Sequence, residues 1–294
     1  MKRREFVQKS ALASAGVLAA SPLMSAVAAE KVKEFGVQIY TVRDLISKDY
    51  EGTLKSLRKV GFDYCEAFGF GDGKLLGKSI KDAKKAFQDA KLPIRSIHAS
   101  TGATTPKVSG TMNNDWQRAV DDAAELGAKY LVCPYLLPQE RKNIDQYKRL
   151  AELMSKCGET SRKSNIQFLY HNHEFEFQEL DGQIPYDIIL KDTDPYWVKM
   201  ELDIYWTRYA DVDPIKLFRD HPQRFPLWHV KDMDLSEDRN MTEVGKGRID
   251  WKQIFTHKND AGLMSFFIEQ DRNWAVDPVS STATGLKHIK GLRF

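Results

Sequence analysis

The feature that most limits the fold of this chain is the regular alternation of short apolar runs with amphipathic segments. Eight runs with strand-like composition are each followed by a segment whose apolar residues have helical spacing. No long linker and no low-complexity tract interrupts the series. Strands that alternate with helices form parallel sheets, because each helix carries the chain back to the starting edge. The sequence therefore predicts an α/β fold.

The spacing of these segments predicts one closed barrel. We expect strands over Phe35–Tyr40, Tyr64–Phe68, Pro93–His98, Lys129–Pro134, Ile166–His173, Val198–Asp203, Phe225–His229 and Met264–Glu269. We expect helices over Glu51–Val60, Lys78–Ala90, Asp115–Leu126, Ile144–Ser164, Pro185–Leu190, Pro214–Asp220, Trp251–Phe255 and Pro278–Leu292. Eight such units favour a single (β/α)8 TIM barrel. An open doubly wound sheet is the alternative, but the first strand lacks the glycine-rich phosphate loop of its dinucleotide-binding form.

Residues 1–28 have the composition of an export signal. The adjacent Arg3 and Arg4 precede an alanine-rich apolar stretch, and small residues at 26–28 form a cleavage site. The arginine pair resembles the twin-arginine export signal, which carries folded proteins. An ordinary secretory signal is the alternative. We expect residues 29–294 to form the mature barrel in the periplasm, with no stable membrane association after cleavage.

Charge and cysteine content argue against several classes of function. The formal net charge is +3, and the predicted signal peptide accounts for all of it. A near-neutral mature chain has no basic stripe to bind nucleic acid or an anionic membrane. Cys65, Cys133 and Cys157 are too widely spaced for a disulfide framework or a zinc knuckle. Cys65 and Cys133 lie in strand-like runs, and we expect both to be buried as small apolar residues.

Four consecutive predicted strands end in side chains that can bind a metal. The fifth strand carries His171 and His173, and the next three end at Asp203, His229 and Glu269. Residues two apart in a strand share a face, so the two histidines are expected to point the same way. The carboxyl ends of all strands meet at one face of a barrel. We therefore expect these side chains to lie close together.

This donor set predicts metal-assisted chemistry on a carbonyl compound. Imidazoles and carboxylates together suit Mn²⁺, Zn²⁺, Co²⁺ or Fe²⁺. No cysteine belongs to the set, which argues against a structural zinc site. A bound divalent cation polarises a carbonyl, and the neighbouring C–H then becomes acidic enough for an imidazole or carboxylate to remove its proton.

Several motifs resemble those of the sugar phosphate isomerase/epimerase family, the barrels related to xylose isomerase. In chain order they are HNHEFEF at 171–177, ELDIYW at 201–206, HVKD at 229–232, VGKGRIDW at 244–251 and IEQD at 268–271. The motifs fall on the last four predicted strands, whereas the first half resembles the family only in its alternation of strands and helices. The resemblance implies a TIM barrel that acts on a carbohydrate as an isomerase, an epimerase or a related lyase.

The resemblance also implies a ligand set. It places one divalent metal, most commonly manganese, on His171, Asp203, His229 and Glu269. The fifth-strand ligand in the epimerases is usually a glutamate that also shuttles a proton, and His171 takes its place here. This departure argues against a symmetric two-glutamate epimerisation. It favours elimination on a keto-sugar or a keto-glycoside.

The remaining candidate residues lie near the same strand ends. We expect His173, Glu269 and Lys231 to be catalytic, with His173 as the neutral imidazole that exchanges a proton. We expect substrate contacts from four further residues: Glu66, His98, Glu176 and Trp206. Glu201 is expected one pleat deeper than Asp203 on the same face.

Two other functions stay open on sequence grounds. A non-catalytic carbohydrate-binding barrel would keep the metal as a structural element and would exchange no substrate proton with solvent. A metal-dependent endonuclease is a third option, but the neutral charge and the export signal both oppose it. The expected partner is a small-molecule sugar rather than nucleic acid, and the sequence leaves homo-oligomerisation open.

Overall fold

A computed structural model describes residues 34–293 and contains a closed barrel of eight parallel strands. The strands are β1 Gly36–Gln38, β2 Tyr64–Ala67, β3 Ile94–His98, β4 Tyr130–Cys133, β5 Gln167–His171, β6 Val198–Asp203, β7 Leu227–Val230 and β8 Ser265–Ile268. They follow the order β1-β8-β7-β6-β5-β4-β3-β2 around the barrel. The barrel closes because β1 pairs with β8, with Gly36 opposite Phe267. The predicted TIM barrel is confirmed, and the open doubly wound sheet is wrong.

Each strand is followed by one of the eight predicted helices. The helices are α1 Tyr50–Val60, α2 Ile80–Asp89, α3 Trp116–Leu126, α4 Ile144–Arg162, α5 Pro185–Asp192, α6 Pro214–Asp220, α7 Trp251–Thr256 and α8 Pro278–Gly291. Side-chain oxygens at their N-termini fix several of the starts; Asp49, for example, accepts from the Gly52 N–H. Gly61 ends α1 with a φ of 111°, a left-handed conformation that glycine adopts without strain.

Short helices, turns and strands lie between the eight strands and eight helices, and the sequence did not predict them. Further α-helices are Arg43–Ile46, Ile204–Tyr209 and Lys258–Ala261, and 3₁₀ turns are Ile39–Val42, Pro138–Glu140 and Phe175–Phe177. Short antiparallel strands are Phe70–Gly71, Lys74–Leu75 and Lys78–Ser79 in one group, and Asp232–Met233 with Met241–Thr242 in another. Most of these elements lie in segments that follow barrel strands, where they shape the site.

Five apolar side chains fill the inside of the barrel below the site. They are Tyr64, Val132, Leu169, Leu227 and Phe267, all buried. The Tyr64 and Phe267 rings pack edge to face with 5.5 Å between centroids. These side chains form an apolar layer inside the barrel. The polar residues nearer the carboxyl ends of the strands form a separate layer above it.

Two strands end two residues earlier than predicted. The fifth strand ends at His171, so His173 lies in the following loop and its direction does not follow from strand alternation. The first strand ends at Gln38, whose side chain accepts from the Tyr40 N–H and turns the chain into a 3₁₀ helix. Cys65, Cys133 and Cys157 are buried and free, as expected for Cys65 and Cys133.

The predicted signal peptide, with Arg3 and Arg4, lies outside the described residues. Its boundary at residue 28 therefore stays a prediction. Within residues 34–293, no helix is both long and apolar enough to cross a bilayer.

Candidate active site

The four predicted metal ligands converge at the carboxyl ends of β5 to β8. His171, Asp203, His229 and Glu269 are all buried, and one ligand atom of each lies within 4.8 Å of the others. His171 Nε2 is 3.1 Å from His229 Nδ1 and 3.3 Å from an Asp203 carboxylate oxygen. His229 Nδ1 is 2.7 Å from a Glu269 carboxylate oxygen. Four successive strands thus bring side chains at or beside their carboxyl ends to one point.

The hydrogen bonds of the two imidazoles turn their lone pairs toward that point. His171 Nδ1 is 3.1 Å from the Pro134 carbonyl, which only accepts, so this nitrogen carries the proton and leaves Nε2 as an acceptor. His229 Nε2 is 2.6 Å from a Glu66 carboxylate oxygen, and the same argument leaves Nδ1 as an acceptor. Two lone pairs and two carboxylates facing one another repel unless a cation lies between them. The donor set therefore fits a divalent metal ion.

The pKa values of the two imidazoles shift in opposite directions, and that of His171 agrees directly with a free lone pair. Burial and the neighbouring His229 lower the pKa of His171, so this ring is neutral at neutral pH, as a ligand must be. Burial opposes the charged form of His229, but the Glu201, Glu269 and Glu66 carboxylates raise its pKa well above the usual value. The field that favours a proton at His229 also favours a metal cation in its place.

A carboxylate layer beneath the ligands supports His229. One Glu66 oxygen lies 2.6 Å from His229 Nε2, 2.9 Å from His98 Nε2 and 2.7 Å from the amide nitrogen of Gln38. Glu201, one pleat below Asp203 as expected, lies 3.3 Å from the same nitrogens of His98 and His229. A carboxylate behind a metal-binding histidine fixes its orientation and raises its basicity.

Lys231 lies at the edge of the ligand cluster. Its Nζ atom is 3.0 Å from Asp203, 2.8 Å from Glu269 and 3.0 Å from Asp271. Burial opposes its charge, but these carboxylates raise its pKa well above the usual value. Lys231 is therefore a cation at the cavity wall that is hydrogen-bonded to Asp271 and ion-paired with Asp203 and Glu269.

A cavity of about 630 Å³ opens above these residues, within the range that holds small-molecule ligands. Its polar wall carries His98, His171, His229, Lys231 and Glu269, as expected from the sequence. The described residues that line the rest of it are Tyr40, Phe68, Gly69, Phe70, Ser100, Pro134, Tyr135, His173 and Asp271.

His173 lies in this cavity although it is outside the strand. Its ring centroid is 5.0 Å from that of His171, and it stacks on Phe175 at 5.6 Å. Burial, and then the positive potential from His171 and Lys231, lower its pKa well below the usual value. Its Nδ1 atom is buried and has no hydrogen-bond partner within residues 34–293. This is a neutral imidazole with an unused nitrogen beside the ligand cluster.

Three of the four expected substrate contacts lie outside the cavity wall. Glu66 is fully buried beneath His229, so we assign it to holding that ring. Glu176 accepts from the Tyr170 hydroxyl at 2.5 Å and from the His173 N–H at 2.7 Å, which uses both of its oxygens. Trp206 packs against the His173 ring at 5.5 Å. Of the four, only His98 lines the cavity.

The sequence did not predict two aromatic residues of the cavity lining, Tyr135 and Phe70, or the supporting role of Asn172. Tyr135 lies in a loop and Phe70 in a two-residue strand, and neither segment is long enough for periodicity to mark a side chain that faces the site. Asn172 bridges β5 to β6, because its amide accepts from the Asp203 N–H at 2.9 Å and donates to the Asp203 carbonyl at 3.2 Å. Its position between two histidines in the 171–177 motif was the available signal.

Comparison with known proteins identifies the family of the barrel. The model of the family described as xylose isomerase-like TIM barrel matches residues 54–292. A curated relative, the inosose dehydratase of Clostridium botulinum, is 22% identical over 273 residues that cover 82% of this chain and 89% of the relative.

Solved structures give the same placement. A sugar phosphate isomerase/epimerase from Parabacteroides distasonis is 27% identical, with a TM-score of 0.75, over 92% of this chain and 98% of its own. An IolI protein with a bound zinc atom has a TM-score of 0.66 at 14% identity, over 89% of this chain and 99% of its own. At that identity the second likeness shows the fold alone.

Proposed function

Because the chain belongs to the xylose isomerase-like TIM barrel family, we propose that it is a divalent-metal-dependent enzyme that removes a proton beside the carbonyl of a sugar. One observation carries the proposal: two imidazole lone pairs and two carboxylates converge, buried, beside a ligand-sized cavity. Manganese is the first candidate for the metal, and zinc, cobalt and iron suit the same donors.

The ligand residues would be His171, Asp203, His229 and Glu269. When bound there, the divalent ion supplies Lewis acidity that makes the C–H beside a substrate carbonyl acidic. The Asn172 side-chain amide accepts from the Asp203 N–H and so holds the backbone of Asp203, and Glu66 holds the ring of His229. These contacts fix the ligands before substrate arrives.

His173 is the proposed base. Its lowered pKa keeps the imidazole neutral at neutral pH, and its Nδ1 atom has no partner among the described residues. In an elimination, His173 takes the proton from the carbon beside the carbonyl. The electron pair left on that carbon forms a C=C bond and expels the oxygen substituent of the next carbon. The imidazolium then returns its proton to the departing oxygen, while Lys231 donates a hydrogen bond to it.

The replacement of glutamate by His171 selects between reaction types. Epimerisation needs one group on each face of the substrate carbon, whereas a single base beside the cation is enough for elimination with proton return on the same face. The name of the inosose dehydratase relative supports the elimination branch. The name of the Parabacteroides relative supports the isomerase and epimerase branch. We propose the lyase reaction on a keto-sugar or keto-glycoside as the first to test.

Export completes the proposal. Residues 1–28 carry the arginine pair, the apolar stretch and the small-residue cleavage site of a twin-arginine signal. The substrate would then be met in the periplasm by the mature barrel.

Proton exchange with solvent tests the reaction class. The metal-loaded protein is incubated in D₂O with a panel of keto-sugars and keto-glycosides, and deuterium beside the carbonyl is followed by NMR. We expect incorporation or elimination with at least one substrate, and none with Asp203→Asn, which removes a ligand charge at nearly constant volume. Sugar binding by the metal-loaded protein without any exchange would instead identify a non-catalytic binding barrel.

A further inference from the structure

The cavity has two unlike halves. The proposed metal ligands come from β5 to β8, whereas the loops after β1, β2 and β4 contribute an apolar wall of Tyr40, Phe68, Phe70, Pro134 and Tyr135. β1 and β2 are neighbours in the barrel, whereas β3 separates β2 from β4 and contributes His98 and Ser100 to the lining between them. A ligand held at the polar half therefore meets aromatic rings with the rest of its length.

Tyr40 is held in place while it keeps one side open. Its ring packs edge to face on Phe68 at 5.1 Å, and the Arg43 guanidinium lies 4.5 Å from its centroid. Arg43 is fixed in turn, because it donates to the Tyr40 carbonyl at 3.1 Å and to the Asp271 carbonyl at 2.9 Å. The Tyr40 side chain is nevertheless 40% exposed. An oriented, exposed ring at a cavity wall is suited to stacking on a flat or pyranose ring.

Tyr135 has the same construction on the far side of the wall. Its ring packs edge to face on His173 at 4.9 Å and on Phe175 at 5.6 Å, and it is 39% exposed. The Arg141 guanidinium donates to its hydroxyl at 3.3 Å. Tyr135 therefore joins the aromatic wall directly to the proposed base.

The charges around the cavity oppose a phosphate group. Among the described lining residues, Lys231 is the one cation other than histidine, and three carboxylates within 3.0 Å of its Nζ atom already balance its charge. Glu269 and Asp271 line the same cavity. A phosphate dianion would meet two carboxyl groups without an arginine fork to receive it. The cavity favours a neutral ligand.

The size of the cavity also exceeds that of one sugar ring. About 630 Å³ lies in the middle of the range that accommodates drug-sized ligands. A single sugar placed at the polar half leaves the aromatic half unfilled, and a second ring would bury that apolar surface.

We infer that Tyr40, Phe68, Phe70 and Tyr135 form a subsite for the second ring of an uncharged glycoside. This inference rests on the proposed function for the placement of the first ring, and it narrows the substrate class to neutral glycosides rather than free sugars or sugar phosphates. The second ring is an aromatic aglycone or another sugar, since both present a face to the wall.

Binding of stable glycosides tests the subsite without any turnover. Isothermal titration calorimetry on the metal-loaded protein compares phenyl β-D-glucoside, cellobiose, methyl β-D-glucoside and glucose 6-phosphate. We expect phenyl glucoside to bind at least about 10-fold more tightly than methyl glucoside, because stacking and apolar burial add to its affinity. Cellobiose should share part of that gain, and glucose 6-phosphate should bind more weakly than methyl glucoside.

Variants locate the effect. In Tyr40→Ala and Tyr135→Ala the ratio of the two dissociation constants should fall to within about 3-fold, with metal content unchanged. Tyr196→Ala removes an aromatic ring that is 57% exposed and does not line the cavity, so the ratio should stay at the wild-type value.

Equal affinities for phenyl and methyl glucoside, or no measurable binding of phenyl glucoside, would overturn the subsite. Tighter binding of glucose 6-phosphate would also overturn it. The two proposals fail separately. A preference for the phenyl glycoside without proton exchange in D₂O would refute only the proposed reaction, and exchange without the preference would refute only the subsite.

Discussion

A glutamine in place of Glu66 should weaken metal binding by about 10- to 100-fold, although Glu66 is not among the proposed ligands. One Glu66 oxygen receives donors from Gln38, His98 and His229, and the bond to His229 Nε2 is 2.6 Å long. The glutamine keeps the volume of a fully buried side chain. What changes is the charge behind the proposed ligand His229.

The size of the effect follows from that hydrogen bond. A bond to a charged acceptor contributes about 1.5–3 kcal/mol and a neutral one about 0.5–1.5 kcal/mol. The difference of roughly 1–1.5 kcal/mol corresponds to nearly 10-fold in a binding constant. The less basic Nδ1 of His229 weakens its bond to the cation further, which extends the range toward 100-fold.

A competitive titration against a fluorescent chelator measures the change. Glu243→Gln is the matched control, because Glu243 is also a buried carboxylate with three donors. They are the Ala275 N–H at 2.8 Å, the Ser281 hydroxyl at 2.7 Å and the Thr242 hydroxyl at 3.3 Å. Glu243 is not part of the ligand cluster. Wild-type affinity in Glu66→Gln would refute the role of the carboxylate layer. Equal weakening in both variants would indicate a general loss of stability instead.

Three further results are expected. His171→Ala should lose metal and activity together, whereas His173→Ala should keep the metal and lose mainly kcat, as shown by elemental analysis beside steady-state kinetics. Replacing Arg3 and Arg4 by lysines should leave the precursor inside the cell, as shown by fractionation. Burial raises the pKa of Glu176 to about 8 from the ordinary 4.5, so the folded state binds the extra proton between those values. Wild type should therefore lose stability relative to Glu176→Gln as pH rises from about 5 through 8, as measured by urea unfolding.

Each of these expectations has a contradicting outcome. Metal loss in His173→Ala with retention in His171→Ala would reverse the two roles, and full activity in His173→Ala would remove it from catalysis. Normal periplasmic accumulation of the lysine variant would point to the general secretory route. Parallel stability curves for wild type and Glu176→Gln between pH 5 and 8 would mean that Glu176 is ionised in the fold.

The convergence of metal-binding side chains at the strand ends was predictable, because their position along each strand fixes where they lie in a barrel. Alternation of apolar runs places the last residue of each strand at one face of the barrel, so Asp203, His229 and Glu269 could be brought together without knowing any contact. On the fifth strand the same rule offered both His171 and His173, and the family resemblance selected His171 as the ligand. These four residues lie at or beside the carboxyl ends of the successive strands β5 to β8, and their convergence needs only the strand order.

Contacts across the barrel were not predictable in the same way. Glu66 on β2 forms a hydrogen bond with His229 on β7, and no pattern in either strand predicts this contact. The direction of Glu176 was missed because it lies in a 3₁₀ turn, where strand alternation gives no guide to the side chain. Tyr135 was missed because it follows a strand as a loop residue, and its orientation depends on packing against His173.

The location of the metal ion directly tests the proposed ligand set of His171, Asp203, His229 and Glu269. Anomalous diffraction from crystals of the manganese-loaded mature protein would show where the ion lies. We expect one anomalous peak at bonding distance, about 2.0–2.3 Å, from His171 Nε2, His229 Nδ1 and carboxylate oxygens of Asp203 and Glu269. A peak instead among Glu66, His98 and Glu201, or no peak at the ends of β5 to β8, would contradict it.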